Sequence, residues 1–339
     1  MTATFADPRE TYVVPFREAL KPPPDLTVWE WADEHRVLSQ VASAEPGRWV
    51  TDRTPYLREI LECLSPSCPV RKVIFRKSAQ VGGTEAGNNW VAFVVDMVGG
   101  PMLIVQPTVE LAKRWSKQRL APMIRDTPKL HGKITDARSR DSGNTMLAKE
   151  FAGGILIVTG ANSAIGLRSM PAATLFFDEV DAYPESVNGE GHAIELGERR
   201  AQTFPFRKVF EVSTPRIKYA SRIDDDFESS DRAFFYVPCP KCDTYQRLVH
   251  TQLVYEEEAP HEALYACGHC GELLSEGHKT RMLAAGRWFR RVDEPVDIEM
   301  VDHGDGHWAP RQVDPTKPAG FHIDAMYSPV GWFSWGDVA

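Results

Sequence analysis

The sequence has no apolar run long enough to cross a membrane. Its longest apolar stretch, 90–105, is interrupted by Asp96 and by the glycines and proline at 99–101. A membrane-spanning helix needs about 20 consecutive apolar residues. The first ten residues also lack the basic and then apolar pattern of a signal peptide. We therefore expect no membrane segment and a location in the cytoplasm.

The sequence also lacks an excess of positive charge and any internal repeat. It has 39 Lys and Arg residues against 47 Asp and Glu residues, a formal net charge of −8 over 339 residues. This balance excludes a globally basic nucleic-acid coat but remains compatible with a local basic groove. The hydrophobic share of 42% and the charged share of 25% are typical of a globular protein rather than a disordered or fibrous one. At roughly 150 residues per domain, the length suggests about two domains.

Cysteine is scarce, and most of the six cysteines are concentrated in one region. Four of them form two Cys-x-x-Cys pairs, Cys239 with Cys242 and Cys267 with Cys270. Two such pairs in a cytoplasmic chain indicate a metal site far more often than disulfides. Four thiolates would complete the tetrahedral coordination of Zn²⁺ and leave no open position, so the spacing predicts a structural zinc ribbon. We interpret the remaining two, Cys63 and Cys68, as inert thiols.

Apolar segments of strand length alternate with segments of helical periodicity before residue 230. Strands are predicted over 70–75, 102–105, 173–177 and 208–212, and helices over 56–64, 84–98, 108–124 and 193–200. This alternation predicts an α/β fold built on a parallel sheet. From Phe234 the pattern changes to short strands and turns around the cysteines. We therefore expect an extension over 1–53, an α/β domain over 54–230 and a zinc-ribbon subdomain over 231–290.

A loop between a predicted strand and a predicted helix resembles a phosphate loop. Against the pattern G-x-x-x-x-G-K-[ST], Gly82 and Thr84 fit, Gly83 stands in place of the lysine, and Lys77 stands in place of the first glycine. A strand that feeds a helix N-terminus can hold an anion with backbone N–H groups. Lys77 could reach the β- and γ-phosphates from the other side, and Thr84 would bind Mg²⁺. The alternative is an ordinary strand–helix turn with a basic edge. The predicted nucleotide-binding loop comprises Lys77, Ser78, Ala79, Gln80, Val81, Gly82, Gly83 and Thr84.

The apolar strand near residue 175 ends in two carboxylates, as a Walker B motif does. Asp178 would join the Mg²⁺ shell, and Glu179 would polarise the attacking water. The alternative for this segment alone is a strand followed by an acidic turn. Both motifs together, in this order and about a hundred residues apart, predict a P-loop NTPase with a RecA-like parallel sheet.

Two further segments fit an NTPase, although each has an ordinary structural alternative. Ser213 and Thr214 follow a predicted strand and could sense the hydrolysis state, or they could form a strand-end turn. Arg168 lies in a loop of small residues and could act as an arginine finger, or it could be a surface arginine.

Taken in order, these motifs resemble the large terminase subunit of lambda-type tailed phages. The resemblance rests on 77–82, 160–163 with 166–169, 177–184 and 213–215, and it covers nearly the whole chain. The displaced lysine is typical of that family. The resemblance implies an ATP-driven motor, with ATP, Mg²⁺ and Zn²⁺ as cofactors, that packages viral double-stranded DNA into a procapsid through its portal. It also implies a small terminase subunit as partner, a ring of copies and the host cytoplasm as location.

The resemblance adds two expectations that depend on the family alone. Tyr56 would help to hold the adenine, whereas its own sequence context equally fits a core aromatic residue. A nuclease domain would follow the motor, so we interpret 291–339 as a linker and the truncated start of that domain, without endonuclease activity. We expect several apolar residues there to be exposed, namely Phe321, Met326, Trp332 and Trp335. Four nearby acidic residues are interpreted as solvated rather than metal-binding, namely Asp297, Glu299, Asp302 and Asp305.

Two other functions remain as alternatives. The segment Asp178-Glu179-Val180-Asp181 matches the DExD box of a superfamily 2 helicase, but such an enzyme needs a second RecA-like domain, and a zinc ribbon follows here instead. A non-enzymatic zinc adaptor that binds nucleic acid would have no need for the Asp178–Glu179 pair.

Overall fold

A central, mainly parallel sheet organises the chain in the computed structural model, as the alternating pattern predicts. The structure describes residues 9, 13, 16, 25–134, 145–217, 220–293, 300 and 306–339. The strands of these residues are β1 Val37–Leu38, β2 Gly47–Arg48, β3 Lys72–Lys77, β4 Gly100–Gln106, β5 Ala148–Phe151, β6 Gly154–Gly160, β7 Thr174–Asp178, β8 Lys208–Ser213, β9 Ala233–Pro238, β10 Tyr245–Gln246, β11 Leu253–Val254, β12 Leu264–Ala266, β13 Leu273–Leu274, β14 Arg287–Val292, β15 His307–Pro310 and β16 Ala319–Ile323.

Helices connect the parallel strands, as crossover connections require. Their bounds are α1 Val28–His35, α2 Leu57–Leu64, α3 Gly83–Phe93, α4 Val109–Trp115, α5 Ala121–Asp126, α6 Ala164–Arg168, α7 Ala193–Ala201, α8 Arg222–Glu228, α9 Lys279–Ala284 and α10 Trp335–Val338. Wider turns at Val94–Val98 and Ser116–Leu120 extend α3 and join α4 to α5.

The strands of the large sheet follow the order β15-β14-β9-β16-β3-β8-β7-β4-β6-β5, and β10 pairs with β9. The strands from β9 to β6 in this order run parallel, and the flanking strands run antiparallel. Arg76 is in register with Ser213, and Asp178 is in register with Val212. The carboxyl ends of β3, β8 and β7 therefore meet at one edge, where open α/β sheets bind ligands.

Close packing of α3 against the sheet keeps this edge in place. Phe176 of β7 is fully buried and stacks on Phe210 of β8, with ring centroids 5.5 Å apart. Gly87 of α3 faces the same ring, and a Cβ atom there would lie 2.0 Å from Phe176 Cζ. Glycine is required here because the helix approaches the sheet more closely than any side chain allows.

The large sheet continues past the predicted boundaries at residues 230 and 290. β9, β14 and β16 all lie in it, and β16 pairs with β3, the strand that leads into the phosphate-loop segment. One hydrophobic cluster joins Leu61 of α2 to Tyr265 beside the second cysteine pair. The change in sequence pattern near Phe234 therefore marks a local insertion around the cysteines within one sheet, not the end of the sheet.

The expected exposure of the apolar residues near the end of the chain is wrong for three of four. Phe321 is fully buried within β16, and Met326 and Trp335 are also buried. Trp332 is only partly exposed, and its indole Nε1 donates to Glu45 Oε1 at 2.8 Å. These side chains are covered because β16 lies inside the sheet and brings the following segment onto the core. The four acidic residues between 297 and 305 lie outside the described residues.

Candidate functional site

Lys77, at the end of β3, lies at the centre of the edge where β3, β8 and β7 end. Its Nζ atom lies 2.8 Å from Glu179 Oε1 and 3.1 Å from Thr214 Oγ1. The parallel register explains this meeting, because each of these residues comes at or just beyond the end of its strand. Lys77 itself is buried, with 7% of its surface exposed. Three predicted site residues are thus joined by hydrogen bonds.

A glycine at position 83 makes room for this lysine. A Cβ atom there would lie 3.0 Å from Lys77 Cε and 3.1 Å from Val212 Cγ2, closer than ordinary carbon contacts of about 3.5 to 4.0 Å. Gly82, which precedes it, has a φ of 77° that favours glycine. The two departures from the common pattern therefore fit each other: a glycine at position 83 leaves space, and the stem of Lys77 occupies it.

Asp178 presents a buried carboxylate with an unused oxygen. Its Oδ2 atom accepts a hydrogen bond from Gln106 Nε2 at 3.1 Å, and its buried Oδ1 atom has no hydrogen-bond partner among the described residues. Burial raises the pKa of Asp178 to about 6. A buried carboxylate oxygen without a donor is the kind of ligand that Mg²⁺ takes. Gln106 was missed in the sequence, where a glutamine at a strand end carries no recognisable signal.

Backbone geometry turns Glu179 and the segment after β8 toward the same edge. Glu179 adopts a left-handed conformation with φ of 54°, which is uncommon for a residue other than glycine. Its amide donates to Val212 O at 2.8 Å. Ser213 Oγ accepts a hydrogen bond from the amide of Asp181 at 3.1 Å, so Ser213 holds the turn after Glu179 while Thr214 contacts Lys77.

A cavity of about 470 Å³ lies against the phosphate-loop segment, within the range of about 300 to 1,000 Å³ usual for ligand pockets. Its lining residues are 42–45, Lys77, Ser78, Gln80, Val81, Gly82, Gly83, Thr84, Glu85, Arg119, Gly331 and Trp332. The predicted loop thus faces a cavity, except for Ala79, which is not among the lining residues.

Arg119 and Glu85 are cavity residues that the sequence analysis did not single out. Arg119 Nη1 donates to the carbonyl of Ala42 and lies 3.6 Å from Glu85 Oε1. Glu85 also pairs with Arg36 at 3.2 Å. Arg119 follows several other cations on the same helical segment, and nothing in that run distinguishes it.

The structure does not bring the ring of Tyr56 to the cavity. The side chain is fully buried, its ring centroid lies 5.9 Å from that of Phe235, and it does not line the cavity. Tyr56 is the core aromatic residue that its position on an amphipathic segment equally allows. Arg168 also lies apart from the cavity lining, because its Nη2 atom pairs with Glu190 Oε1 at 2.7 Å.

The four cysteines of the two Cys-x-x-Cys pairs converge at one point. Their Sγ atoms all lie within 4.8 Å of one another. The Cys239–Cys270 and Cys242–Cys267 Sγ pairs are each 3.9 Å apart. A tetrahedral zinc ion with Zn–S bonds of about 2.3 Å requires S–S distances of about 3.8 Å. The donor set and its spacing therefore fit a zinc ion.

Hydrogen bonds around the cysteines support a set of thiolates. The amide of Lys241 donates to Cys239 Sγ at 3.4 Å, and Gln246 Nε2 donates to Cys267 Sγ at 3.5 Å. Gln246 is buried, and its Oε1 atom accepts from the amide of Gly268 at 3.0 Å. Such outer contacts orient metal ligands.

Among the described residues, no helix is both long enough and apolar enough to cross a lipid bilayer.

Comparisons with known proteins point to one family. Residues 43–288, more than half of the chain, match the family model described as "Phage terminase large subunit gpA, ATPase domain". The chain is 29% identical over 317 residues to the terminase large subunit of Enterobacteria phage P21, an alignment that covers 91% of this chain and 48% of that protein. It is 27% identical over 331 residues to the terminase large subunit of Escherichia phage lambda, covering 92% and 49%. The chain thus spans about half the length of the curated relatives it matches.

Solved structures give a more distant likeness. The large terminase of a thermophilic bacteriophage matches with a TM-score of 0.35 and 17% identity, over 48% of this chain and 38% of that one. The ATPase domain of the Thermus phage P74-26 large terminase matches with a TM-score of 0.33 and 13% identity, over 48% and 66%.

Proposed function

Because the chain belongs to the family of phage terminase large subunit gpA ATPase domains, we propose that its cavity binds Mg²⁺·ATP and that the surrounding residues hydrolyse it. The observation that carries this proposal is the contact of Lys77 Nζ with both Glu179 and Thr214. This contact connects the ends of β3, β7 and β8 beside the loop that leads into the N-terminus of α3. Neither a superfamily 2 helicase nor a non-enzymatic adaptor is favoured by the family match.

The residues of the loop and of the three strand ends have positions consistent with roles in this reaction. The backbone amides of 78–84 would hold the phosphates at the N-terminus of α3. Lys77 would contact the β- and γ-phosphates, and Glu179 would orient and deprotonate the attacking water. Ser213 and Thr214 would sense whether the γ-phosphate is present, because Thr214 shares Lys77 with Glu179.

The Asp178 and Thr84 oxygens are the natural ligands for magnesium here. Asp178 offers its unpartnered Oδ1 atom, and Thr84 lines the cavity at the start of α3. Mg²⁺ bound there would neutralise phosphate charge. The placement of β8 between β3 and β7 supports a P-loop ATPase, because that order puts the hydroxyls of Ser213 and Thr214 between the loop and the carboxylates.

We also propose a structural zinc ion on Cys239, Cys242, Cys267 and Cys270. Four thiolates would leave it no open position for catalysis. The surrounding β-strands would form a zinc ribbon inserted into the ATPase sheet. In this proposal the unit of 54–230 extends to include β9, β14 and β16, and the ribbon accounts for the segment between β9 and β14.

The wider activity is proposed from the family alone. The ATPase would drive translocation and packaging of viral double-stranded DNA in the cytoplasm of the bacterial host. Its partners would be the small terminase subunit and the portal of the procapsid, with copies of the chain arranged in a ring. Arg168 would then serve a neighbouring copy, because it does not line the cavity of its own chain and its side chain is 44% exposed.

Replacement of Glu179 by glutamine tests the proposed reaction. Glu179→Gln keeps the side-chain shape but removes the base, so turnover of ATP should fall by about 10² to 10⁴. The Kd of Mg²⁺·ATP should stay within a few fold. Glu185→Gln is the matched control, since Glu185 is an exposed residue in the same segment. Turnover that is equal in both variants would exclude the role of Glu179.

A further inference from the structure

The segment after β16 passes directly over the phosphate loop. The amide of Ser78 donates to Ile323 O at 3.1 Å, where β16 ends beside β3. Five residues later, Ser328 Oγ donates to Gln80 O at 2.9 Å. These two contacts attach the segment 323–328 to the loop itself. The following residues, Gly331 and Trp332, therefore reach the wall of the cavity.

Trp332 is fixed at this wall by a small charged network. Its Nε1 atom donates to Glu45 Oε1 at 2.8 Å, and the guanidinium of Arg53 lies 5.5 Å from its ring centroid. Arg53 also pairs with Glu45 at 2.7 Å and donates to Val330 O at 2.6 Å. The indole is thus anchored by its edge and by its own backbone segment, while its surface contributes to the cavity.

No other aromatic side chain lines this cavity among the described residues. The phosphate end of the cavity is formed by Gly82, Gly83 and Thr84, and Trp332 with 42–45 forms another part of the wall. A nucleotide whose phosphates lie on the loop must place its base against one of the remaining surfaces. An aromatic ring is the surface that a base prefers, because stacking is worth about 1 to 3 kcal/mol per base.

We propose that Trp332 packs against the base of the bound nucleotide, in the place that the family resemblance implies for Tyr56. This inference rests on the proposed ATP site and identifies its base-binding side. Stacking tolerates different bases. Trp332 therefore provides affinity for the nucleoside part of the ligand, and the loop provides affinity for the phosphates.

Binding of three ligands to the full chain separates these contributions. Isothermal titration with Mg²⁺·ATP, Mg²⁺·GTP and Mg²⁺·tripolyphosphate is compared between the unchanged chain, Trp332→Ala and Trp332→Phe. We expect Trp332→Ala to raise the Kd of both nucleotides about tenfold and to leave the Kd of tripolyphosphate unchanged. Trp332→Phe should retain most of the affinity because it keeps an aromatic face. Trp29→Ala is the matched control, since Trp29 is also partly exposed and lies 4.8 Å from an arginine, Arg58.

Each result decides the inference. Equal ATP affinity for Trp332→Ala and the unchanged chain overturns it. An equal loss of ATP and tripolyphosphate affinity also overturns it, because Trp332 would then support the loop rather than the base. Failure of the unchanged chain to bind any of the three ligands would instead refute the proposed function.

Discussion

Replacing Gly83 by alanine tests whether the position of Lys77 depends on the space beside it. The added Cβ atom would lie 3.0 Å from Lys77 Cε, 3.2 Å from Lys77 Cδ and 3.1 Å from Val212 Cγ2. Val212 is buried in β8 and cannot withdraw, so the lysine stem has to move by roughly 0.5 Å or more to restore ordinary contact. Gly83 has no positive φ, so backbone strain does not contribute.

This displacement acts on function more than on stability. Moving the stem stretches the hydrogen bonds from Lys77 Nζ to Glu179 and Thr214, now 2.8 and 3.1 Å. A hydrogen bond to a charged group is worth about 1.5 to 3 kcal/mol, which corresponds to roughly a 10- to 100-fold loss of ATP turnover. The unfolding free energy should change by less than about 1 kcal/mol, because the far end of a lysine adapts readily.

Steady-state ATP hydrolysis and urea unfolding of the same preparations measure the two effects. Gly277→Ala is the control, because the nearest atom to its added Cβ would be Ser275 Oγ at 3.8 Å. Unchanged turnover in Gly83→Ala would refute the argument that this glycine makes room for Lys77. A loss of turnover accompanied by a comparable loss of stability would show instead that the loop, not the lysine, is disturbed.

Two further substitutions test the packing and the buried charges around the site. Gly87→Ala should lower the unfolding free energy by about 1 to 2 kcal/mol or more, because overpacking against Phe176 outweighs the roughly 1 kcal/mol that alanine gains in a helix; thermal unfolding that is unchanged, as expected for Gly277→Ala, would contradict this. Burial, with the nearby Arg76 guanidinium, lowers the pKa of His322 to about 3, so the folded state binds fewer protons than the unfolded state and stability should be lost as the pH falls from about 6.5 toward 3. His322→Asn should flatten that decline in a pH series of urea midpoints, and an equally steep decline in both proteins would exclude His322 as its source.

The central sheet and the candidate site at its edge could be predicted because their signals are local. Apolar strands that alternate with periodic helices along the chain predict a parallel sheet, even when the order of the strands is unknown. Lys77, Asp178 and Thr214 each come at or just after the end of a strand, and parallel strands end at the same edge. In the sequence Gly83 is only a departure from the phosphate-loop pattern, and the structure explains it by the space that the stem of Lys77 occupies.

The position of β16 could not be predicted in this way. Its pairing with β3 joins segments about 250 residues apart, and no local pattern encodes the partner of a parallel strand. Phe321 and Met326 were expected to be exposed because 291–339 was interpreted as the truncated start of another domain, whereas β16 places them in the core. Trp332 follows β16 and reaches the cavity through contacts with residues distant in the chain, so no pattern in the sequence connects it with the loop.

Tyr56 illustrates a different limit. It precedes a helix whose apolar residues follow the periodicity of a buried face, and that periodicity is the same for a core residue and for one that lines a pocket. Only the neighbouring side chains distinguish the two cases. Here Tyr56 packs against Phe235, and the Trp288 Nε1 atom donates to Tyr56 O at 3.0 Å.

The cysteine cluster and the phosphate loop are connected through the segment after β16. The amide of Leu248, which lies between the two cysteine pairs, donates to Tyr327 Oη at 2.8 Å, and Tyr327 Oη donates to Phe235 O at 2.6 Å. The next residue, Ser328, donates to the carbonyl of Gln80. The segment between the cysteine pairs thus contacts 323–328, which in turn contacts the loop, although the two Cys-x-x-Cys pairs themselves do not line the cavity.

We therefore expect loss of the proposed zinc ion to weaken ATP binding as well as stability. Elemental analysis should find about one zinc per chain, and Cys270→Ser with a chelator should remove it. The metal-free protein should unfold at a lower temperature and bind Mg²⁺·ATP severalfold more weakly, because the free energy of metal binding is coupled to folding. Cys68→Ser is the control for the chemical change outside the cluster. Ser328→Ala should weaken ATP binding to a similar extent with zinc still bound, since a hydrogen bond of this kind contributes about 1 kcal/mol. If the metal-free protein binds ATP with the original Kd, the cysteine cluster and the loop are independent, and the contacts through Tyr327 and Ser328 do not couple zinc binding to ATP binding.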